Sequence, residues 1–127
     1  MEKITSEWIE KAEGDFKVAV RESSAEDAVH DAICFHCHQC VEKYLKALLT
    51  FCGVSFPKTH DLTELRALVP GAIVPEISMS ELAELSPYAV ESRYPEEWEP
   101  LTRQEAEHAV ETAKRLRRII GDLLEQK

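Results

Sequence analysis

Apolar residues recur at steps of three and four positions over most of this 127-residue chain, which is the spacing of one face of an α-helix. The spacing predicts long helices from Thr5 to Glu22, from about Glu26 to Cys52, and from Thr102 to the C-terminus. Thr5 or Ser6 is suited to cap the first of them. Three long amphipathic helices cannot bury their apolar faces separately, so the chain is predicted to form an all-α, antiparallel up-and-down bundle of four or five helices.

Two short helices are predicted between the second long helix and the last. One runs from Thr59 or Asp61 to about Leu68, and the other covers Ser80 to Ser92, where Pro87 kinks or splits it. Thr102 and Glu105 have the spacing of a capping box at the start of the last helix. These connections complete one domain, because 127 residues are too few for two.

The charge balance limits the partners of the chain. With 24 Asp and Glu against 15 Lys and Arg, the net charge is −9, which argues against broad binding to nucleic-acid backbones. No apolar run approaches the roughly 18 to 20 residues of a membrane span. The N-terminus lacks the basic start and apolar run of a secretion signal, so we expect a cytoplasmic protein with reduced thiols.

Four cysteines lie on one face of the predicted second helix and are expected to pack in the core as small apolar side chains: Cys34, Cys37, Cys40 and Cys52. A zinc site is disfavoured because a straight helix separates the thiols of Cys34 and Cys40 by about 9 Å. His30 and His38 are expected to flank this face, partly exposed. No metal and no cofactor are predicted.

The opposite face of the second helix is unusual because an aromatic and several polar side chains share it: Phe35, His36, Gln39, Lys43 and Lys46. An aromatic side chain on an outer face indicates a partner helix, whereas the imidazole, amide and ammonium groups supply directed hydrogen bonds and local positive charge. Two interpretations remain open. The face forms a homodimer surface with a polar rim, or a groove for a nucleotide, a phosphate or a partner protein.

Several segments together resemble the HEPN family, small helical domains also described as nucleotidyltransferase substrate-binding domains. The resemblance rests on Trp8 and KAE at 11–13, on CFHCHQCVEKYLKA at 34–47, on FPKTHDL at 56–62, on YAVESRYP at 88–95, and on the last helix. It implies a dimeric helical bundle in the cytoplasm of a bacterium or archaeon. It also implies a minimal nucleotidyltransferase as partner, with this chain as the accessory, non-catalytic half that binds a nucleotide or its acceptor.

The predicted ligand-binding surface extends beyond the second helix. Arg93 and Tyr94 end a predicted helix beside a proline, where Glu91 is placed to orient the guanidinium group. His60 precedes a capping aspartate and is a further candidate contact. A structural role is the alternative for each of them. The complete candidate set is His36, Gln39, Lys43, Lys46, His60, Glu91, Arg93 and Tyr94.

A second class of function also follows from the resemblance. Some HEPN proteins are metal-independent ribonuclease toxins of toxin–antitoxin pairs, with a signature of Arg, four to six residues, then His. Arg103 and His108 match that signature, but five helical positions place them about 140° apart, and Glu105 and Glu107 would repel a phosphate. The alternatives to the binding module are therefore this ribonuclease and a purely structural dimer.

Overall fold

The structure is a computed structural model that describes residues 2–71, 73–89 and 99–125. These residues form five α-helices and no strand: α1 (Lys3–Ser23), α2 (His30–Phe51), α3 (Leu62–Ala67), α4 (Met79–Leu85) and α5 (Arg103–Leu124), with a 3₁₀ turn at Ser86–Ala89 after α4. The predicted all-helical bundle is confirmed. None of the helices in the described ranges combines the length and the apolar character needed to cross a membrane.

The helix ends differ from the sequence prediction in two places. Helix α1 begins at Lys3, so Thr5 is a buried residue within the helix and the prediction that it serves as N-cap was wrong. Helix α2 begins at His30 rather than near Glu26, because residues before it form a turn in which the Val29 amide donates to the Glu22 carboxylate at 2.8 Å. The predicted capping box of α5, between Thr102 and Glu105, is present.

Helix α2 lies between α1 and α5. The Leu101 amide donates to Asp31 at 3.2 Å and the Leu101 carbonyl contacts the His30 ring at 3.2 Å, so α5 begins beside the beginning of α2. These two helices therefore run in the same direction and α1 runs against both. The chain between α2 and α5 contains α3 and α4, and Pro87 lies in the 3₁₀ turn that ends α4.

Glu13 of α1 joins the three long helices. Its carboxylate accepts a hydrogen bond from the Tyr44 hydroxyl of α2 and two from the Arg117 guanidinium of α5, at 2.6 and 2.7 Å. These bonds hold the pKa of Glu13 below its usual range, with Arg117 as the larger cause. Arg117 also lies over the Phe16 ring, 4.5 Å from its centroid. Polar contacts thus fix the register in which the apolar faces pack.

Three of the four cysteines pack as predicted. Cys34, Cys37 and Cys40 have no exposed surface, whereas Cys52, at the end of α2, is partly exposed. Burial raises the pKa of the Cys37 thiol to about 12 and also raises that of Cys40, so these thiols stay protonated near neutral pH. Among the described residues no group of His, Cys, Asp and Glu is arranged to hold a metal ion.

Thiol reactivity tests this packing. In the native protein, a thiol-specific reagent is expected to label Cys52 first, because that side chain is the accessible one. The other three should react on the order of 10³-fold more slowly, since they need global opening. Rapid labelling of all four thiols without denaturant, followed by mass spectrometry, would contradict the structure.

Candidate binding site around Glu42

The second face of α2 does not form a free outer surface. His36 contacts Asp15 of α1 at 2.7 Å through Nδ1, and the Lys43 ammonium group donates to the other oxygen of Asp15 at 2.5 Å. The side chain of Asp15 is 12% exposed. The expectation of an outward-facing stripe was therefore wrong at these positions, because α1 packs over it and supplies a counter-charge.

The remaining predicted residues of α2 gather around Glu42, a carboxylate with 4% of its side chain exposed. The Lys46 ammonium group donates to Oε2 of Glu42 at 2.9 Å, and Nδ1 of His60 lies 3.0 and 3.1 Å from its two oxygens. A buried carboxylate is stable only when its charge is paired and hydrogen-bonded. We call Glu42, Lys46, His60, His38 and Gln39 the Glu42 cluster.

Two aromatic side chains cover the cationic end of the Glu42 cluster. The Lys46 nitrogen lies 5.4 Å from the centroid of the Trp8 ring and 6.0 Å from that of Phe56. The two rings meet edge to face with centroids 6.3 Å apart. The rings attract the ammonium group and exclude water from it. Lys46, predicted as an exposed donor, is thus only 7% exposed.

His38 contributes the innermost ring of the Glu42 cluster. It has no exposed surface, so the expectation of a partly exposed flanking residue was wrong. Its Nδ1 lies 3.4 Å from the Gln39 amide nitrogen and 3.8 Å from Glu42. An amide nitrogen only donates, so Nδ1 accepts and the ring hydrogen is assigned to Nε2. That atom has no partner within full hydrogen-bond distance among the described residues, although the His60 backbone acts on the ring as a hydrogen-bond acceptor.

The His38 ring should make the stability of the protein pH-dependent. Burial lowers its pKa below the ordinary value, although the nearby Glu42 charge acts in the opposite direction. The unfolded chain therefore binds a proton that the folded chain does not, and stability is lost as pH falls below about 6.5 and toward the folded pKa. The protonation of His38 changes the free energy of unfolding by at most about 1.4 kcal/mol per pH unit.

Urea denaturation of the wild type and of His38→Asn across pH 5 to 8 measures this contribution. We expect the variant to show a shallower loss of stability on acidification, because Asn carries no proton in this range. Thr112→Ser, at another buried polar residue, serves as the control and should retain the wild-type slope, because neither side chain titrates in this range. Identical slopes for wild type and His38→Asn would show that His38 does not titrate on unfolding.

The Glu42 cluster reaches the surface at His60, whose side chain is 71% exposed. With Asp61 it lines a cavity of about 440 Å³, completed by Thr63, Ala83, Ser86 and Ala89. Asp61 caps α3 by accepting from the Thr63 and Glu64 amides. A hydrogen bond from the Thr63 hydroxyl is the main cause that lowers the pKa of Asp61. His60 is therefore the residue that connects the buried carboxylate with an open cavity.

Three predicted site residues, Glu91, Arg93 and Tyr94, lie outside the described residues. The two residues of the ribonuclease signature are described, and each is bound to a different glutamate. Arg103 donates to Glu107 at 3.2 Å, and Nε2 of His108 lies 3.0 Å from Glu84. They also line separate cavities. Neither contact joins Arg103 to His108.

The sequence matches the family described as "HEPN domain" over residues 5–123. The chain belongs to the HEPN domain family. Two solved structures resemble this HEPN chain, each at 26% identity. TT1696 from Thermus thermophilus has a TM-score of 0.81 over 95% of this chain and 98% of that chain. ST0689, an archaeal HEPN homologue, has a TM-score of 0.74 over 97% and 98%. No curated protein matches the chain.

Sequence reasoning overlooked the two carboxylates that organise the polar residues of this HEPN chain, Asp15 and Glu42. Glu42 stands four positions before Lys46, a spacing that favours an ion pair on one helix, and this signal was available. Asp15 gives no comparable signal, since its contacts depend on the register between α1 and α2. The cluster therefore combines predicted donors with acceptors that only the fold identifies.

Proposed function

We propose that this HEPN chain is a non-catalytic binding module of one domain, which acts in the cytoplasm as a homodimer. It associates with a minimal nucleotidyltransferase and binds a nucleotide or the acceptor of its nucleotidyl group. The observation that carries the proposal is the position of His60. One ring nitrogen is held by the buried Glu42, while most of the side chain is exposed beside a cavity.

The cavity beside His60 combines a mostly apolar lining with a few polar groups, which is the usual character of a small-ligand site. Its volume of about 440 Å³ lies within the range of ligand pockets. The Thr63 and Ser86 hydroxyls donate their hydrogens to Asp61 and to the Leu82 carbonyl, so their oxygens are left to accept. The second ring nitrogen of His60 and the Asp61 carboxylate complete the polar groups of the cavity. Because Asp61 would repel phosphate, these groups favour the base and ribose of a nucleotide. The proposal also includes Glu91, Arg93 and Tyr94 as ligand contacts, on sequence grounds.

Calorimetric titration with AMP and ATP tests the ligand part of the proposal. We expect binding by the wild type and at least about fivefold weaker binding by His60→Ala, since one lost hydrogen bond to a ligand is worth about 1 kcal/mol or more. His108→Ala, which removes another exposed histidine, is the control and should bind normally. Binding that is unaffected by His60→Ala and Arg93→Ala would contradict the proposed site.

The partner is tested by co-purification with a minimal nucleotidyltransferase encoded beside the gene. A stable complex that survives His108→Ala supports the accessory role. A neighbouring nucleotidyltransferase that elutes separately from this chain at micromolar concentration would contradict the partnership.

The ribonuclease alternative is tested separately by incubating the purified protein with RNA in the presence of a chelator. Because Arg103 and His108 are paired with different glutamates, we expect no cleavage of the RNA. Cleavage that disappears in His108→Ala, and in Arg103→Ala, would replace the binding module with a metal-independent ribonuclease. If the protein dimerises stably but binds no nucleotide, binds no nucleotidyltransferase and cleaves no RNA, the purely structural dimer is the remaining hypothesis.

A further inference from the structure

The outer face of α5 carries charges in an order that is complementary to itself. Acidic Glu107 and Glu111 are followed by basic Lys114 and Arg118. At about 100° per residue, these four positions lie within about 60° of one another around the helix. All four are exposed. One half of this stripe is therefore negative and the other half positive, although the chain as a whole has a charge of −9.

These charges are only weakly used within the monomer. Lys114 lies 3.9 Å from Glu111, a distance at the limit of an ion pair, and Glu107 contacts the largely exposed Arg103. Arg118 has no ion-pair partner among residues 2–71, 73–89 and 99–125. By contrast, neighbouring Arg115 and Arg117 are bound to Glu81 and Glu13. The charged groups of the stripe are therefore available to form ion pairs with another molecule.

We propose that this stripe of α5 is the contact between two copies of the chain, paired antiparallel about a twofold axis. With the axis between residues 112 and 113, Glu107 lies opposite Arg118 of the second copy and Glu111 lies opposite Lys114 of the second copy. Twofold symmetry repeats both pairs. A parallel arrangement would instead place like charges together, so the charge order selects the antiparallel one.

A glycine lies in line with the stripe, toward the C-terminal end of α5. Gly121 falls opposite Gln104 of the second copy, and a Cβ built on Gly121 meets nothing within 4 Å. The absent side chain leaves room there for a close approach.

The proposal of this surface depends on the proposed function in one respect, which is that the chain forms a homodimer. Exposed ion pairs contribute little affinity individually, but they determine orientation and partner choice. The test therefore uses charge reversal. One variant, Lys114→Glu with Arg118→Glu, makes the stripe wholly acidic, and the other, Glu107→Lys with Glu111→Lys, makes it wholly basic. Each should repel its own copy, whereas a mixture of the two should pair.

Sedimentation equilibrium of the full chain measures the outcome, with folding of each variant verified by circular dichroism. We expect each charge-reversed variant to dimerise at least about tenfold more weakly than the wild type, and the mixture to form a one-to-one heterodimer. Lys11→Glu with Lys17→Glu on α1 makes the same charge change as the acidic variant and should dimerise normally. The wild-type dimer should weaken as salt rises.

The contrary outcomes separate the surface from the homodimer. A wild type that stays monomeric would overturn both. A dimeric wild type whose charge-reversed variants also remain dimeric would overturn the α5 surface and leave the homodimer. Variants that are both monomeric and fail to pair when mixed would overturn the antiparallel register.

Discussion

Replacing Glu42 with Gln is expected to lower the free energy of unfolding by about 3 kcal/mol, the scale of losing one partner of a buried ion pair. The substitution keeps the shape of the side chain but leaves the Lys46 ammonium group, only 7% exposed, without its counter-charge. It also removes the charge that holds His60. Urea denaturation at pH 7 measures the effect.

A second substitution shows whether the unpaired charge is the cause. Adding Lys46→Met to Glu42→Gln should recover at least about 1 kcal/mol, because the double variant buries no unpaired ammonium group. Glu84→Gln, which removes one partner of an exposed pair with His108, is the control and should change stability by less than about 0.5 kcal/mol. A similarly small change for Glu42→Gln would mean that Glu42 is hydrated rather than buried.

The second large effect is expected at the junction of the three long helices. Glu13→Ala removes the acceptor of the Tyr44 hydroxyl, a residue only 4% exposed, and both hydrogen bonds of Arg117. We expect a loss of about 2 kcal/mol, mostly from the unsatisfied hydroxyl, since the pair with Arg117 is partly exposed and screened by solvent.

A double-variant cycle isolates this contribution. Tyr44→Phe alone should cost about 1 kcal/mol, and adding it to Glu13→Ala should cost less than it does in the wild type, because the two residues share one interaction. Glu10→Ala on the exposed face of α1 is the matched control and should change stability by less than about 0.5 kcal/mol. Strict additivity of Glu13→Ala and Tyr44→Phe would contradict the hydrogen bond between them.

The fold was largely predictable because each long helix carries a continuous apolar face, and periodicity alone indicates how that face must pack. The position of Pro87 and the spacing of Thr102 and Glu105 also gave the correct local structure. Helix ends were less predictable. Thr5 resembles a cap in the sequence, yet it lies inside α1.

The candidate site was predictable only in part. Periodicity correctly identified the polar face of α2 but gave no means of deciding whether another helix covers it. Asp15 and Glu42 turn His36, Lys43 and Lys46 from free donors into paired ones. For His36 and Lys43 the pairing depends on the register of α1 against α2, a tertiary property that no local pattern encodes, whereas the pairing of Lys46 with Glu42 follows from their spacing within α2.

The polar face of α2 is paired with the carboxylates of Asp15 and Glu42, and its buried end, at His38, Glu42 and Lys46, reaches solvent through His60. Nitrogen-15 NMR of the histidine rings between pH 5 and 8 tests this arrangement. For His38 we predict a neutral ring with its hydrogen on Nε2 and a pKa below the ordinary value, because the ring is fully buried. A His38 ring that titrates at or above about 6.5 and exchanges freely with solvent would contradict the arrangement.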